Sequence, residues 1–415
     1  MTDTDDDALI AQYEAYPYPP RVPEDEKRRL ITGSPSHLAE VNHYVFGGRR
    51  DFSHPFRALV AGGGTGDATI MLAQQLADEG GASEVVYLDL SRAAADIVKA
   101  RAQVRGLDNI RFVQGSLMDL PALGLGKFDY IDCCGVLHHL EQPEAGLARL
   151  RDVLADGGGM GLMVYAPYGR AGVYHVQALL HMLGEDGDAP AKLARARGFF
   201  AELPDSNWLK RNPLVEDHIS QGDAGFYDLL LHSRDRAFSV PEVATLVADA
   251  GLAITGFVEP LRYDPLPLIQ DADNAARVGA LPWIGRCAFT ELMTGSLKTH
   301  VFYVVRSADA DAALARPGPD MVPVPVELDV AQVAPMLQAK GELNVDLDGA
   351  KISLPMSGLA SALLARIDGE RSIAAIQGEL ARMPMTPDRP AMDEAFEQLF
   401  VAFNGLNVLF LRAEK

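Results

Sequence analysis

Between residues 57 and 165, short apolar runs alternate with longer segments whose apolar positions recur every three or four residues. Residues 57–61, 85–88, 110–113, 128–133 and 160–165 read as strands. Between them, helical spacing runs through Ile70, Leu72 and Leu76, through 93–105 ended by Gly106, and through Leu147, Leu150 and Leu154. Strands alternating with helices of this length predict repeated βαβ units and a doubly wound, Rossmann-like α/β sheet.

The flanks break that rhythm. Residues 1–56 are irregular, and YEAYPYPPR at 13–21 interleaves tyrosines with prolines, which favour extended chain. This predicts an N-terminal arm or lid over 1–56. The sheet domain is expected over 57–306, with a helical insertion at about 167–230, a helix at 240–250 and closing strands at 254–259 and 299–305. Residues 307–326, rich in Pro and Ala, read as a linker. A small C-terminal α+β module, winged-helix-like in its short helices and strands, is expected over 327–415; Ser372 caps its helix 373–380.

Composition narrows the function. Charged residues are 23% and hydrophobic ones 48%, an ordinary globular balance. The chain opens with acids rather than the basic start of a signal peptide, and no apolar run is long enough to span a bilayer. A cytoplasmic protein with no membrane partner is expected. Its three cysteines, Cys133, Cys134 and Cys287, suggest core thiols rather than disulfides. A net charge of −20 disfavours a nucleic-acid partner, although Lys27, Arg28, Arg29, Arg49 and Arg50 cluster locally.

The sharpest chemical signal is VAGGGTGD at 60–67, after a strand and before a helix. At the carboxyl end of the first strand, such a turn faces the ligand crevice. Asp67 stands where a dinucleotide fingerprint needs its third glycine, and no Lys-Ser or Lys-Thr follows as a P-loop requires. Asp89, ending the second strand in VVYLDLS, can accept both hydroxyls of a ribose.

Together with NIRFVQGSLMDLP, FDYIDCCGVLHHL and LADGGGMGLMVYAP, these segments resemble the class I S-adenosylmethionine-dependent methyltransferases, in order and separation. The resemblance implies that S-adenosylmethionine is the cofactor. Gly62, Gly64 and Gly66 would line its methionine part, Asp89 would hold the ribose, Leu90, Ser116 and Leu117 would flank the adenine, and Cys134 and Gly135 would lie near the sulfonium. Val60 and Ser116 depart from the acids many members carry at those places.

Acceptor chemistry is less visible. His138 and His139 are the candidate bases at the end of the fourth strand, though paired histidines there also serve only to shape a pocket. No third ligand lies at motif spacing, so no metal is expected. YPYPP and NHYVFGG make Tyr16, Tyr18, Asn42, His43 and Tyr44 candidate lid residues; covering a sheet edge is the equal alternative. His232, Arg234 and Arg236 either face the pocket or cap a helix. The C-terminal module favours a protein or peptide acceptor, or formation of a homodimer. A small-molecule acceptor and a non-catalytic cofactor-binding scaffold or sensor remain open.

Overall fold

A computed structural model of the protein describes residues 11–184, 186–382 and 388–414. The expected strands form β1 (Arg57–Ala61), β2 (Glu84–Asp89), β3 (Ile110–Gln114), β4 (Phe128–Cys134), β5 (Leu154–Tyr165), β6 (Leu252–Phe257) and β7 (Thr299–Arg306). They make one sheet in the order β3-β2-β1-β4-β5-β7-β6. β1 pairs in parallel with β2 and β4, β2 with β3, and β4 with β5, while β6 runs antiparallel to β7. The central strands are nearly continuous apolar runs because helices cover both their faces. From β1 the chain works outward to β3, then returns to β4 on the other side of β1. The carboxyl ends of β1 and β4 therefore flank a topological switch point.

The chain divides into two compact units whose boundaries differ from those read in the sequence. One comprises Met1–His37, Phe52–Ser239 and Gly295–Val301, and the other Leu38–Asp51, Val240–Thr294 and Phe302–Lys415. Residues 1–56 are thus not one arm. The helix Leu38–Val45 belongs to the second unit, where Tyr44 stacks on Tyr303 with centroids 4.9 Å apart. Glu40 accepts hydrogen bonds from the Tyr303 hydroxyl at 2.7 Å and the Asn407 amide at 2.8 Å. These partners lie more than 250 positions along the chain, which local periodicity cannot reveal.

The expected linker is also structured. β8 (Met321–Pro325) pairs antiparallel with β11 (Leu409–Ala413), and a hairpin of β9 (Glu342–Leu347) and β10 (Ala350–Pro355) precedes the helices Gly358–Leu364, Ile373–Leu380 and Arg389–Gly405. Val326 donates its N–H to the Val408 carbonyl. Counting back by twos puts Val324 and Val322 at hydrogen-bonding positions and leaves Pro323 and Pro325 on the free edge, where a missing N–H costs nothing. The core of this region gathers Leu363, Leu364, Ile376, Leu399 and Leu411, all buried. No helix of the described residues is long and apolar enough to cross a membrane.

In the first unit a buried guanidinium ties the N-terminal segment to the sheet. Arg101, on the helix Arg92–Arg105, is 1% exposed. It donates to Glu26 at 2.6 Å, to Asp67 at 2.7 Å and to the Thr65 carbonyl at 2.7 Å. Arg21 reaches Asp67 at 2.5 Å, and Arg105 also bonds Glu26. Burial pushes the Asp67 carboxyl up, but Arg21 and Arg101 more than offset it and hold it below the usual range.

Replacing Arg101 would take one of two cationic partners from each of Glu26 and Asp67. Arg101→Met is expected to lower the unfolding free energy by about 1.5–3 kcal/mol in urea denaturation, the worth of a hydrogen bond to a charged group. A second expectation concerns His43, whose Nδ1 accepts the Leu411 N–H at 3.1 Å and whose burial pulls its pKa down to about 3. A depressed histidine contributes stability above its unfolded pKa and loses it as pH falls towards the folded value. Urea titrations at pH 6.5 and 4.5 should therefore show a loss of about 2 kcal/mol from this group, absent in His43→Gln.

Candidate active site

The turn after β1 is shaped by what surrounds it. Gly66 has φ 97°, and a Cβ there would sit 2.6 Å from Val98. At Gly64 a Cβ would stand 2.9 Å from the Tyr18 carbonyl. The Thr65 hydroxyl donates to the Pro19 carbonyl at 2.6 Å, so residues 18–21 lie directly across the turn. Asp89 closes the other side: its carboxylate accepts the Gly64 N–H and the Ser91 N–H, both at 2.8 Å. Burial raises its pKa, and these backbone donors work against that rise.

A cavity of about 400 Å³ opens beneath Tyr18 and Pro19. Gly62, Gly64, Gly66, Asp89, Leu90, Ser116, Leu117, Cys134 and Gly135 all line it. The Ser116 oxygen accepts the Met118 N–H at 3.2 Å, leaving its own hydrogen to donate. Val60 also lines the wall. Burial pushes the Cys134 thiol well up, with Asp132 adding to the rise, so the thiol is neutral.

At its far end the same cavity is lined by Tyr13, His139, Tyr165 and Asp228. Nδ1 of His139 lies 2.7 Å from the Arg234 carbonyl. A carbonyl only accepts, so Nδ1 carries the proton and Nε2 holds a free lone pair. His232 stacks on His139 with centroids 3.7 Å apart, and its Nδ1 accepts the Arg234 N–H at 3.1 Å. The His232 proton is therefore on Nε2, which lies 3.2 Å from the Tyr13 hydroxyl. One backbone residue sets both tautomers.

Ligand atoms of His139, Asp228 and His232 lie within 4.8 Å of one another, the one such buried trio among the described residues. A metal ion ligated by all three would need the Nε2 lone pair of His232, which the bond from Arg234 to Nδ1 denies it. The three are joined through other groups: Tyr13 bridges Asp228 and His232, and the Arg234 backbone bridges His232 and His139.

Several candidates lie elsewhere. His138 is buried, with its ring 3.8 Å from that of Tyr165, and is not among the residues lining the cavity. Burial pulls its pKa well down, leaving it neutral. Tyr16 stacks on Tyr227, 5.3 Å between centroids, and joins the core of the helical insertion. Asn42, His43 and Tyr44 do not line the cavity; they are buried in the second unit, Asn42 bonding the backbone of Arg50. That corrects the lid expectation for these three, whose aromatic and amide groups serve packing. Arg236 is half-exposed and reaches Glu144 only at 3.9 Å. Conversely, sequence reasoning passed over Tyr13 and Asp228, although a lone acid inside the apolar run FYDLLL was a usable signal.

A family model described as a methyltransferase domain matches residues 59–160. An uncharacterised protein of Synechococcus sp. is 32% identical over 318 residues, covering 74% of this chain and 73% of that protein. PKMT2 from Rickettsia typhi, solved with AdoHcy, superposes with a TM-score of 0.63 at 16% identity, over 93% of this chain and 77% of that one. The same protein without AdoHcy gives 0.62, also at 16% identity, over 92% and 76%.

The chain belongs to the class I S-adenosylmethionine-dependent methyltransferases.

S-adenosylmethionine is its cofactor. The cavity of this methyltransferase fits that group: a turn whose glycine positions leave no room for a Cβ, a strand-end carboxylate with lone pairs to spare, and an apolar wall at Leu90 and Leu117. Removing the carboxylate tests the fit. In the methyltransferase, Asp89→Ala is expected to weaken S-adenosylhomocysteine binding by about 2 kcal/mol, or about thirty-fold, by calorimetry.

Proposed function

We propose that this methyltransferase modifies a side chain of a protein or peptide, holding the cofactor on Gly62, Gly64, Gly66, Asp89, Leu90, Ser116, Leu117, Cys134 and Gly135. Bound S-adenosylmethionine supplies an electrophilic methyl group. The protein's own task is to hold the acceptor in line, keep water out and take a proton where the acceptor brings one. His139 is the base: its Nδ1 is committed to the Arg234 carbonyl, and its ring lines the cavity where the acceptor must stand. That fixed tautomer is the observation carrying the catalytic part of the reading. Tyr18 and Pro19 roof the cavity and exclude solvent from it.

The protein acceptor draws its support from extent. PKMT2, a protein lysine methyltransferase, shares the fold over 93% of this chain, well beyond the cofactor domain. A small-molecule acceptor is the second reading, favoured by the cavity of about 630 Å³ that the insertion builds around Tyr174, Gln177, Lys192 and His232.

Labelled methyl transfer into a fractionated lysate separates the two: label in protein supports the first, label confined to small molecules the second. His139→Asn is expected to reduce kcat by about 10²–10⁴-fold while leaving S-adenosylhomocysteine affinity intact. His138→Asn should keep kcat near the wild-type value.

A further inference from the structure

Asp228 is the anomaly of the cavity. It sits on the helix Gly222–Leu231, is 6% exposed, and is one of the residues lining the cavity. Its hydrogen bonds come from the hydroxyls of Tyr13 and Tyr165, each at 3.4 Å, the outer limit for such a bond. No Arg or Lys among the described residues forms an ion pair with it. The nearby Arg170 guanidinium is already held by Asp235 at 3.0 Å and lies 3.6 Å over the Tyr165 ring. A buried carboxylate so loosely satisfied is costly unless a ligand completes it.

What would complete it is a positively charged hydrogen-bond donor. Ring nitrogens of His139 and His232 and an oxygen of Asp228 fall within 4.8 Å of one another. One nitrogen placed between carboxylate and imidazole could reach both at ordinary hydrogen-bond distances. Tyr13 and Tyr18 line the same cavity, and an aromatic ring there attracts positive charge.

We propose that the acceptor is an amine, bound as its ammonium by Asp228 and deprotonated there by His139. This deepens the side-chain-modification reading and rests on it. In the step, one N–H bond of the ammonium breaks and its electron pair stays on nitrogen. The proton passes to Nε2 of His139, which becomes an imidazolium beside the Asp228 carboxylate. The nitrogen is left neutral and nucleophilic.

The test is binding, not turnover. Protein saturated with S-adenosylhomocysteine is titrated calorimetrically with n-butylammonium chloride and, separately, with the neutral isostere n-butanol. Butylammonium is expected to bind at least about ten-fold tighter, as for a charge-assisted hydrogen bond. Asp228→Asn should abolish that preference and Asp228→Glu retain part of it, with S-adenosylhomocysteine affinity unchanged in both. Equal binding of the two probes by the wild-type protein, or no binding of either, overturns the proposal without reference to any variant. If Asp228→Asn weakens S-adenosylmethionine but not S-adenosylhomocysteine, the carboxylate answers the sulfonium and the proposal fails. Loss of all binding of S-adenosylhomocysteine by the wild-type protein would instead sink the cofactor assignment beneath it.

Discussion

A buried arginine holds the cofactor turn in place. Arg101 reaches from the second helix of the sheet domain to the Thr65 carbonyl inside the glycine turn, and on to Glu26 and Asp67. A guanidinium suits this task because its five donors fan out in one plane and can answer several acceptors at once. Through Asp67 it also engages Arg21, and with it the stretch carrying Tyr18 and Pro19 over the cavity. Turn, roof and helix are therefore one electrostatic assembly, and the cavity's width follows from it.

Asp67 shows how a single residue can be read correctly and incompletely. In the sequence it speaks only against a dinucleotide, since it stands where a glycine would be needed. In the structure it opens the helix Asp67–Asp78 and forms the junction of two arginines. The first fact follows from spacing; the second depends on residues 34 and 46 positions away and has no local trace.

The same division runs through the whole molecule. Strands β1 to β5 and the cofactor cavity were legible because each element is specified by its own apolar run and its own bounding turn. Ser372 and Gly106 mark helix ends as expected. What was not legible is long-range. The helix Leu38–Val45 looks like part of an arm until Tyr303 and Leu411 are seen against it. The strand Met321–Pro325 looks like a linker because its prolines are counted before their edge positions are known. One local sign was overlooked: Asp348-Gly349, with φ of 54° and 93°, is the tight turn of the β9–β10 hairpin. At the far end of the cavity, Tyr13 and Asp228 meet across 215 positions, so only the oddity of an acid in an apolar helix pointed there.

The stacking of His139 on His232 has a stoichiometric consequence. Two imidazolium rings 3.7 Å apart would repel strongly in a cavity screened from solvent. Burial, followed by the neighbouring His139, already pulls the His232 pKa well down. His232 therefore stays neutral and cannot take on a proton delivered to its neighbour. Were His139 the base proposed above, each proton it received would have to leave for solvent before the next turnover, and proton export would be one of the terms of the site's throughput.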